Sequence, residues 1–155
     1  MRKTRFPKPR KWFPKNPEKY VGDVNNIISR SSWETKFLNW ADNNPAIISY
    51  SSEETVIPYI SITDMKPHRY YPDFKIKVKD AQGNIKTYIV EIKPNSQRNP
   101  PIYKGKKTQR YINECSTFMV NQSKWKAAES FCKERGLGFI VLDEYDLGIA
   151  QRKTK

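Results

Sequence analysis

The stretch that decides the fold reads Tyr71-Pro72-Asp73-Phe74-Lys75-Ile76-Lys77-Val78-Lys79 and then Ile85-Lys86-Thr87-Tyr88-Ile89-Val90-Glu91-Ile92-Lys93. Phe74, Ile76 and Val78 alternate with lysines, which is the period of a half-buried strand. Ala81-Gln82-Gly83-Asn84 carries turn chemistry, and the β-branched run after it predicts the second strand of a hairpin whose loop exceeds the two-residue minimum. Pro72 has no N–H for a sheet ladder, so it is expected at a strand start, an edge or a bulge, where Asp73 can be re-aimed. Pro94 biases Lys93 toward an extended conformation and marks the end of its strand.

Side chains alternate across a strand, so Glu91 and Lys93 share one face while Ile92 points to the other. Asp73 stands eighteen residues before Glu91, at the opening of the partner strand. Phosphodiester hydrolysis needs a hard divalent cation on oxygen ligands, a water made nucleophilic, and positive charge facing the phosphoryl oxygens. Asp73 and Glu91 are the candidate metal ligands and Lys93 the candidate charge. Each has a plainer explanation as a turn residue after proline or a surface pair on a strand. Their convergence on a strongly basic chain favours a metal-dependent nuclease site. Carboxylates without His or Cys suit Mg²⁺ or Mn²⁺.

The chain has 155 residues, 37% hydrophobic and 13% aromatic, which predicts one ordered domain with a real core. Its formal charge of +13 and pI near 9.7 point to a polyanionic partner, DNA or RNA before acidic membrane lipid, since no amphipathic anchor accompanies the charge. No apolar run is long enough to cross a membrane, and no apolar segment follows the basic N-terminus, so neither a membrane span nor a secretory signal is expected. One histidine and two distant cysteines cannot assemble a zinc site. Cys115 and Cys132 are expected as free thiols in a reducing cytoplasm, and His68 as a surface or structural residue.

Residues 1–24 combine Pro7, Pro9, Pro14 and Pro17 with basic and aromatic residues, which predicts an extended arm ahead of a domain over 25–150 and a basic tail over 151–155. The arm either tracks phosphates through residues such as Lys8, Arg10 and Lys11, with Trp12 and Phe13 stacking, or is a mobile tail. Trp33, Phe37 and Trp40 predict a helix from Ser32 to Asn43, stopped by Pro45. Glu34 is open to two readings, the return partner of a Ser31 capping box or a third carboxylate at the metal. Short strands are expected near Ile47–Tyr50 and Thr55–Ile62. Glu53 and Glu54, between them, are read as loop carboxylates, one of which could approach the metal.

Residues 94–107 form a proline-rich basic loop, in which Lys104, Lys106 and Lys107, with Arg110 beyond it, are candidate phosphate contacts. Two helices are then predicted, one from about Thr108 and another from Ser123 to Gly136. A strand over Phe139–Leu142, continuously apolar, is expected to be buried on both faces. The whole describes an α/β fold with a mixed central sheet flanked by helices.

Glu34, Pro72-Asp73 and Glu91-Ile92-Lys93 resemble the PD-(D/E)xK nucleases of restriction-endonuclease-like fold. Arg30-Ser31-Ser32-Trp33-Glu34, Val56-Ile57-Pro58-Tyr59, Glu91-Ile92-Lys93-Pro94 and the run from Val120 to Ala128 further resemble the head-completion nucleases of large tailed phages, a family grouped with TnsA-like transposon endonucleases. The resemblance implies endo- and exonuclease activity on double-stranded DNA after packaging, so that filled heads join tails. It also implies head, portal or connector proteins as partners, in the host cytoplasm during assembly or at the head-tail connector of the virion, with no membrane role and no small-molecule cofactor. It assigns Glu34, Asp73 and Glu91 to the metal, allows the Ile92 carbonyl as a further ligand, gives Lys93 the water or the transition state, and places a relative's glutamine at Gln109. Two alternatives stand beside it: a DNA-binding plug or connector component with a vestigial nuclease fold, and a transposition endonuclease subunit that cuts only with a partner.

Overall fold

In the computed structural model, which describes residues 9–151, the two alternating runs form the central hairpin of a four-stranded sheet. In chain order the elements are β1 (Arg10–Lys11), β2 (Ile28–Ser29), α1 (Ser32–Asn43), β3 (Ile47–Ser52), β4 (Ile57–Ile60), β5 (Pro67–Tyr70), β6 (Phe74–Lys79), β7 (Ile85–Ile92), α2 (Gln109–Glu134) and β8 (Gly138–Leu142). The central sheet has the order β3-β6-β7-β8, antiparallel except for the parallel pair β7-β8, so the predicted mixed sheet is present. Asp80 closes the β6-β7 turn by accepting from the backbone N–H groups of Gln82 at 2.9 Å and Asn84 at 2.8 Å. Gly83 there adopts a φ of 83°, which a side chain would disfavour.

The period of two sorts the sheet between two cores. Phe74, Ile76 and Val90 face α1, where Phe37 stacks on Phe74 with ring centroids 4.5 Å apart. Full burial of a side chain such as Phe37 contributes about 1.5–3 kcal/mol. On the other face, Trp125 and Ala128 of α2 pack on Ile57, Tyr59 and Tyr70 of the β4-β5 hairpin. β8 serves both cores, with Ile140 and Leu142 against the first and Phe139 and Val141 against the second. Its apolar run is thus covered on both faces, yet every residue stays only half-buried because β8 is an edge strand. β4 is shorter than the predicted Thr55–Ile62 strand, and with Pro58 it pairs outside the central sheet with β5, a strand that the sequence did not suggest.

α1 has the bounds expected for it. Ser31 caps it, its hydroxyl oxygen accepting from the Glu34 N–H at 3.1 Å. Ser31→Ala should cost about 1 kcal/mol, measured by urea denaturation. The two helices predicted after the basic loop are instead one helix of 26 residues. Ser123, read as the start of the second, donates its hydroxyl back to the Met119 carbonyl at 3.1 Å and so fits inside a continuous helix. α2 ends where Gly136 turns to a φ of 67° and the Leu137 N–H closes on the Cys132 carbonyl at 2.8 Å.

Residues 9–24 run along the domain. β1 pairs with β2, and Trp12 Nε1 donates to Asn39 at 3.0 Å. Buried Asp42 accepts from the Lys15 N–H at 2.9 Å and from the Tyr50 hydroxyl at 2.9 Å, which ties this stretch to the first core. Residues 1–8, with Lys8, and residues 152–155 of the expected tail lie outside the described part.

Candidate active site

Asp73 sits where β6 begins, after the fully buried Pro72. Its Oδ2 accepts from the Ile92 N–H at 2.8 Å, which locks the end of β7 to the start of β6. Its own carbonyl accepts from the Glu53 N–H at 3.0 Å, drawing the loop after β3 onto the same point. Glu53 holds a φ of 53°, a left-handed conformation that costs a non-glycine residue roughly 1 kcal/mol or more. One carboxylate oxygen from each of Glu34, Glu53 and Asp73 lies within 4.8 Å of the others. Three oxygen donors gathered this closely fit a hard divalent cation in the chemistry of the donor set.

Glu34 departs from the capping box expected of it, because its return bond goes to the Arg30 N–H and not to that of Ser31. Its Oε2 lies 3.2 Å from the Arg30 N–H and 3.4 Å from the Ser31 hydroxyl, so it serves the helix cap, yet the same side chain joins the carboxylate cluster. Glu91 is not one of the three clustered residues. It is buried beside them, its Oε2 accepting from the Tyr70 hydroxyl at 2.6 Å and its Oε1 3.9 Å from Lys93 Nζ. Lys93 is fixed in turn by its N–H, which donates to the Leu142 carbonyl at 2.9 Å. Beside these residues opens a cleft of about 490 Å³, lined among others by Ser31, Trp33, Glu34, Asp73, Lys93 and Gln97.

Burial dominates the electrostatics. It pushes the Glu91 carboxyl up to about 7, with the Asp73 charge adding to the rise, while the Tyr70 hydroxyl, Lys93 and Lys124 oppose it. Burial also raises Asp73, against the pull of the Ile92 N–H, Lys93, Arg30 and Lys124. Glu34 is raised by burial first and by Asp73 second. Carboxylates packed together out of water are costly without a cation among them. Arg30 forms an ion pair with Glu53 and meets part of that charge.

Three contributors were not singled out in the sequence. Tyr70 reaches Glu91 from β5, Arg30 pairs with Glu53 from the turn before α1, and Lys124 approaches from α2, its Nζ 5.6 Å from the Tyr70 ring centroid. Of the two loop carboxylates one of which the sequence allowed near the metal, it is Glu53 that joins the cluster. Gln109, by contrast, is exposed and donates to Asn113 at 2.9 Å. It precedes Lys124 by fifteen helical residues, about 22 Å along α2.

The candidate phosphate contacts lie at the surface. Arg10 and Lys11 are exposed on β1, and Lys104, Lys106 and Lys107 are exposed in the loop before α2. Arg110 is exposed too, but its Nε donates to Glu114 at 2.9 Å, which meets part of its charge. That loop leaves β7 through a fixed turn, where Asn95 and Arg98 each reach the buried Asp143 at 2.9 Å.

A hairpin that delivers Asp73 and Glu91-Ile92-Lys93 to one corner, with a helix-borne Glu34 beside it, can be compared with known proteins. Residues 44–144 match the profile of the family described as TnsA-like endonuclease N terminal. The chain belongs to the TnsA-like endonuclease family. The matched span runs from the end of α1 to just past β8, and so includes Asp73, Glu91 and Lys93 but not Glu34. The chain is also similar to the head completion nuclease of Enterobacteria phage T4, with 43% identity over 138 residues covering 86% of this chain and 89% of that protein. Among the described residues, no helix is long and apolar enough to cross a membrane.

Proposed function

We propose that this TnsA-like endonuclease hydrolyses phosphodiester bonds of double-stranded DNA with the help of Mg²⁺ or Mn²⁺, and acts in phage head completion. The observation that carries the reading is the convergence of Glu34, Asp73, Glu91 and Lys93 at the open end of the β6-β7 hairpin. Similarity to a head completion nuclease over most of the chain supports the biological setting.

Asp73 and Glu34, whose oxygens cluster with that of Glu53, would hold the cation, and Glu91, buried beside them, would complete the set. The cation, when bound, supplies Lewis-acid polarisation and neutralises charge at the phosphate. The rest falls to the chain. The Asp73 carboxylate, held by the Ile92 N–H, keeps a fixed orientation toward the cleft. Lys93, paired loosely with Glu91, has an ammonium free to turn toward a substrate oxygen and meet the charge that grows there. Arg10, Lys11, Lys104, Lys106, Lys107 and Arg110, with Lys8 ahead of them, hold the duplex through its phosphates. Head, portal or connector proteins are the proposed partners, in the host cytoplasm during assembly or at the head-tail connector.

Tyr70 should set the acid limb of activity. Its hydroxyl stabilises the ionised form of Glu91, so Tyr70→Phe lets that carboxyl rise further and moves the acid limb of the pH–rate profile upward by about one pH unit. An unmoved limb would separate Glu91 from the reaction.

The biological role is tested by adding purified protein to DNA-filled phage heads prepared without it and scoring their joining to tails. Wild-type protein should restore joining and Lys93→Ala should not. Restoration by both would make the chain a structural plug rather than an acting nuclease.

A further inference from the structure

The inner face of α2 is not uniformly apolar. Trp125, Ala128 and Cys132 are buried along it, and Lys124 precedes Trp125 as a half-buried residue. A lysine at the margin of a helix stripe ordinarily carries its ammonium out to water along an apolar stem. Lys124 instead turns inward, its Nζ 5.6 Å from the ring centroid of Tyr70, the residue whose hydroxyl is bonded to Glu91. It lies near enough to Asp73, Glu91 and Lys93 to feel the charge of all three.

Its position completes a pattern around Glu91. Lys93 approaches Oε1, while the Tyr70 hydroxyl, backed by Lys124 over its ring, holds Oε2. One ammonium group therefore approaches the buried carboxylate directly, and a second stands behind the tyrosine that holds it. They repel one another, and burial together with that repulsion pulls the Lys124 amine below its ordinary range. Four carboxylates surround this corner, and a divalent cation bound among them would offset half of their charge. Lys93, Arg30 and Lys124 would then leave the corner net positive, which suits one bound phosphate. A lysine serving only as counter-ion to Glu91 would duplicate Lys93.

We propose that Lys124 is a second phosphate-binding cation of the active site, gripping a backbone phosphate of the DNA beside the bond that is cut. The proposal rests on the nuclease reading of this corner and adds a residue to it. Lys124 binds the substrate in its ground state, and Lys93 remains the group that faces the reacting phosphate.

The test uses the full chain and a short duplex. Binding is measured in Mg²⁺ across a range of salt in the Lys93→Ala background, alone and combined with Lys124→Met, Lys124→Arg or, as a control at the far end of α2, Lys133→Met. Methionine keeps an apolar stem over Tyr70 and removes only the charge. Lys124→Met should weaken binding about tenfold and lower the slope of log affinity against log salt by about one. Lys124→Arg should restore both values, and Lys133→Met should change neither. In the otherwise wild-type protein, Lys124→Met should raise KM about tenfold with little change in kcat. An unchanged salt slope, or a loss that arginine does not rescue in a variant that still melts cooperatively, would overturn the proposal and leave a structural counter-ion. Wild-type protein that binds but never cuts in Mg²⁺ would sink the nuclease reading instead, and the salt slope would still decide whether Lys124 contacts phosphate.

Discussion

Glu91→Gln is expected to make the metal-free protein more stable above pH 7 while removing its cleavage of DNA. The folded state holds the Glu91 proton up to about pH 7, whereas an unfolded chain releases it near 4.5. Below the lower value both states are protonated and the group contributes nothing. As pH rises from 4.5 toward 7, the unfolded chain has already ionised and the folded one has not, so stability falls with rising pH. Above that window a constant penalty remains, on the order of 3 kcal/mol at about 1.4 kcal/mol per pH unit. Glutamine is nearly isosteric and can still accept from the Tyr70 hydroxyl, so it removes the charge and little else. Thermal melts in EDTA at pH 5 and pH 8 check this, with a much larger gain at pH 8 than at pH 5. Mg²⁺ at about a thousand times Kd should reverse the ranking, because a cation that binds only the folded wild-type site stabilises it by mass action, by about 4.1 kcal/mol at that concentration. A glutamine variant less stable than wild type in EDTA at pH 8 would mean that Glu91 is a satisfied structural carboxylate.

Lys93→Ala is expected to lower the rate of DNA cleavage by roughly 10²–10³-fold, the usual cost of removing one group aimed at developing charge. Mg²⁺ should still raise its melting temperature, since no oxygen ligand has been lost. Asp73→Ala should lose both cleavage and most of that stabilisation. The pair of variants therefore separates holding the cation from stabilising the transition state. Equal loss of Mg²⁺-induced stabilisation in both would show that Lys93 acts by ordering the site, through its 3.9 Å approach to Glu91, and not on the substrate.

The parts of this fold that were legible in the sequence are those fixed by local chemistry. Alternation of Phe74, Ile76 and Val78, the turn residues at Gln82-Gly83-Asn84, and the Ser31 cap with the Pro45 stop each act within a few residues, and each appears as expected. The site was legible to the same extent, because Asp73 and Glu91-Ile92-Lys93 lie on one hairpin whose register brings them together. What was missed depends on contacts between distant segments. Tyr70 reaches Glu91 across twenty-one residues, Lys124 arrives on a helix beyond the basic loop, and Arg30 pairs with Glu53 from before α1. No periodicity announces such meetings. The division of α2 into two helices failed for the opposite reason, since Ser123 is a common capping residue and only its bond to the Met119 carbonyl shows it inside a longer helix.

The most direct test is incubation of purified protein with circular and linear duplex DNA in Mg²⁺, in EDTA, and with Asp73→Ala and Lys93→Ala in place of wild type. Wild-type protein should cut in Mg²⁺ but not in EDTA, opening of the circle should mark endonuclease action, and both variants should lose cutting. A folded wild-type protein that binds DNA but leaves both substrates whole in Mg²⁺ and Mn²⁺, or cutting that survives in Asp73→Ala, would contradict the nuclease reading.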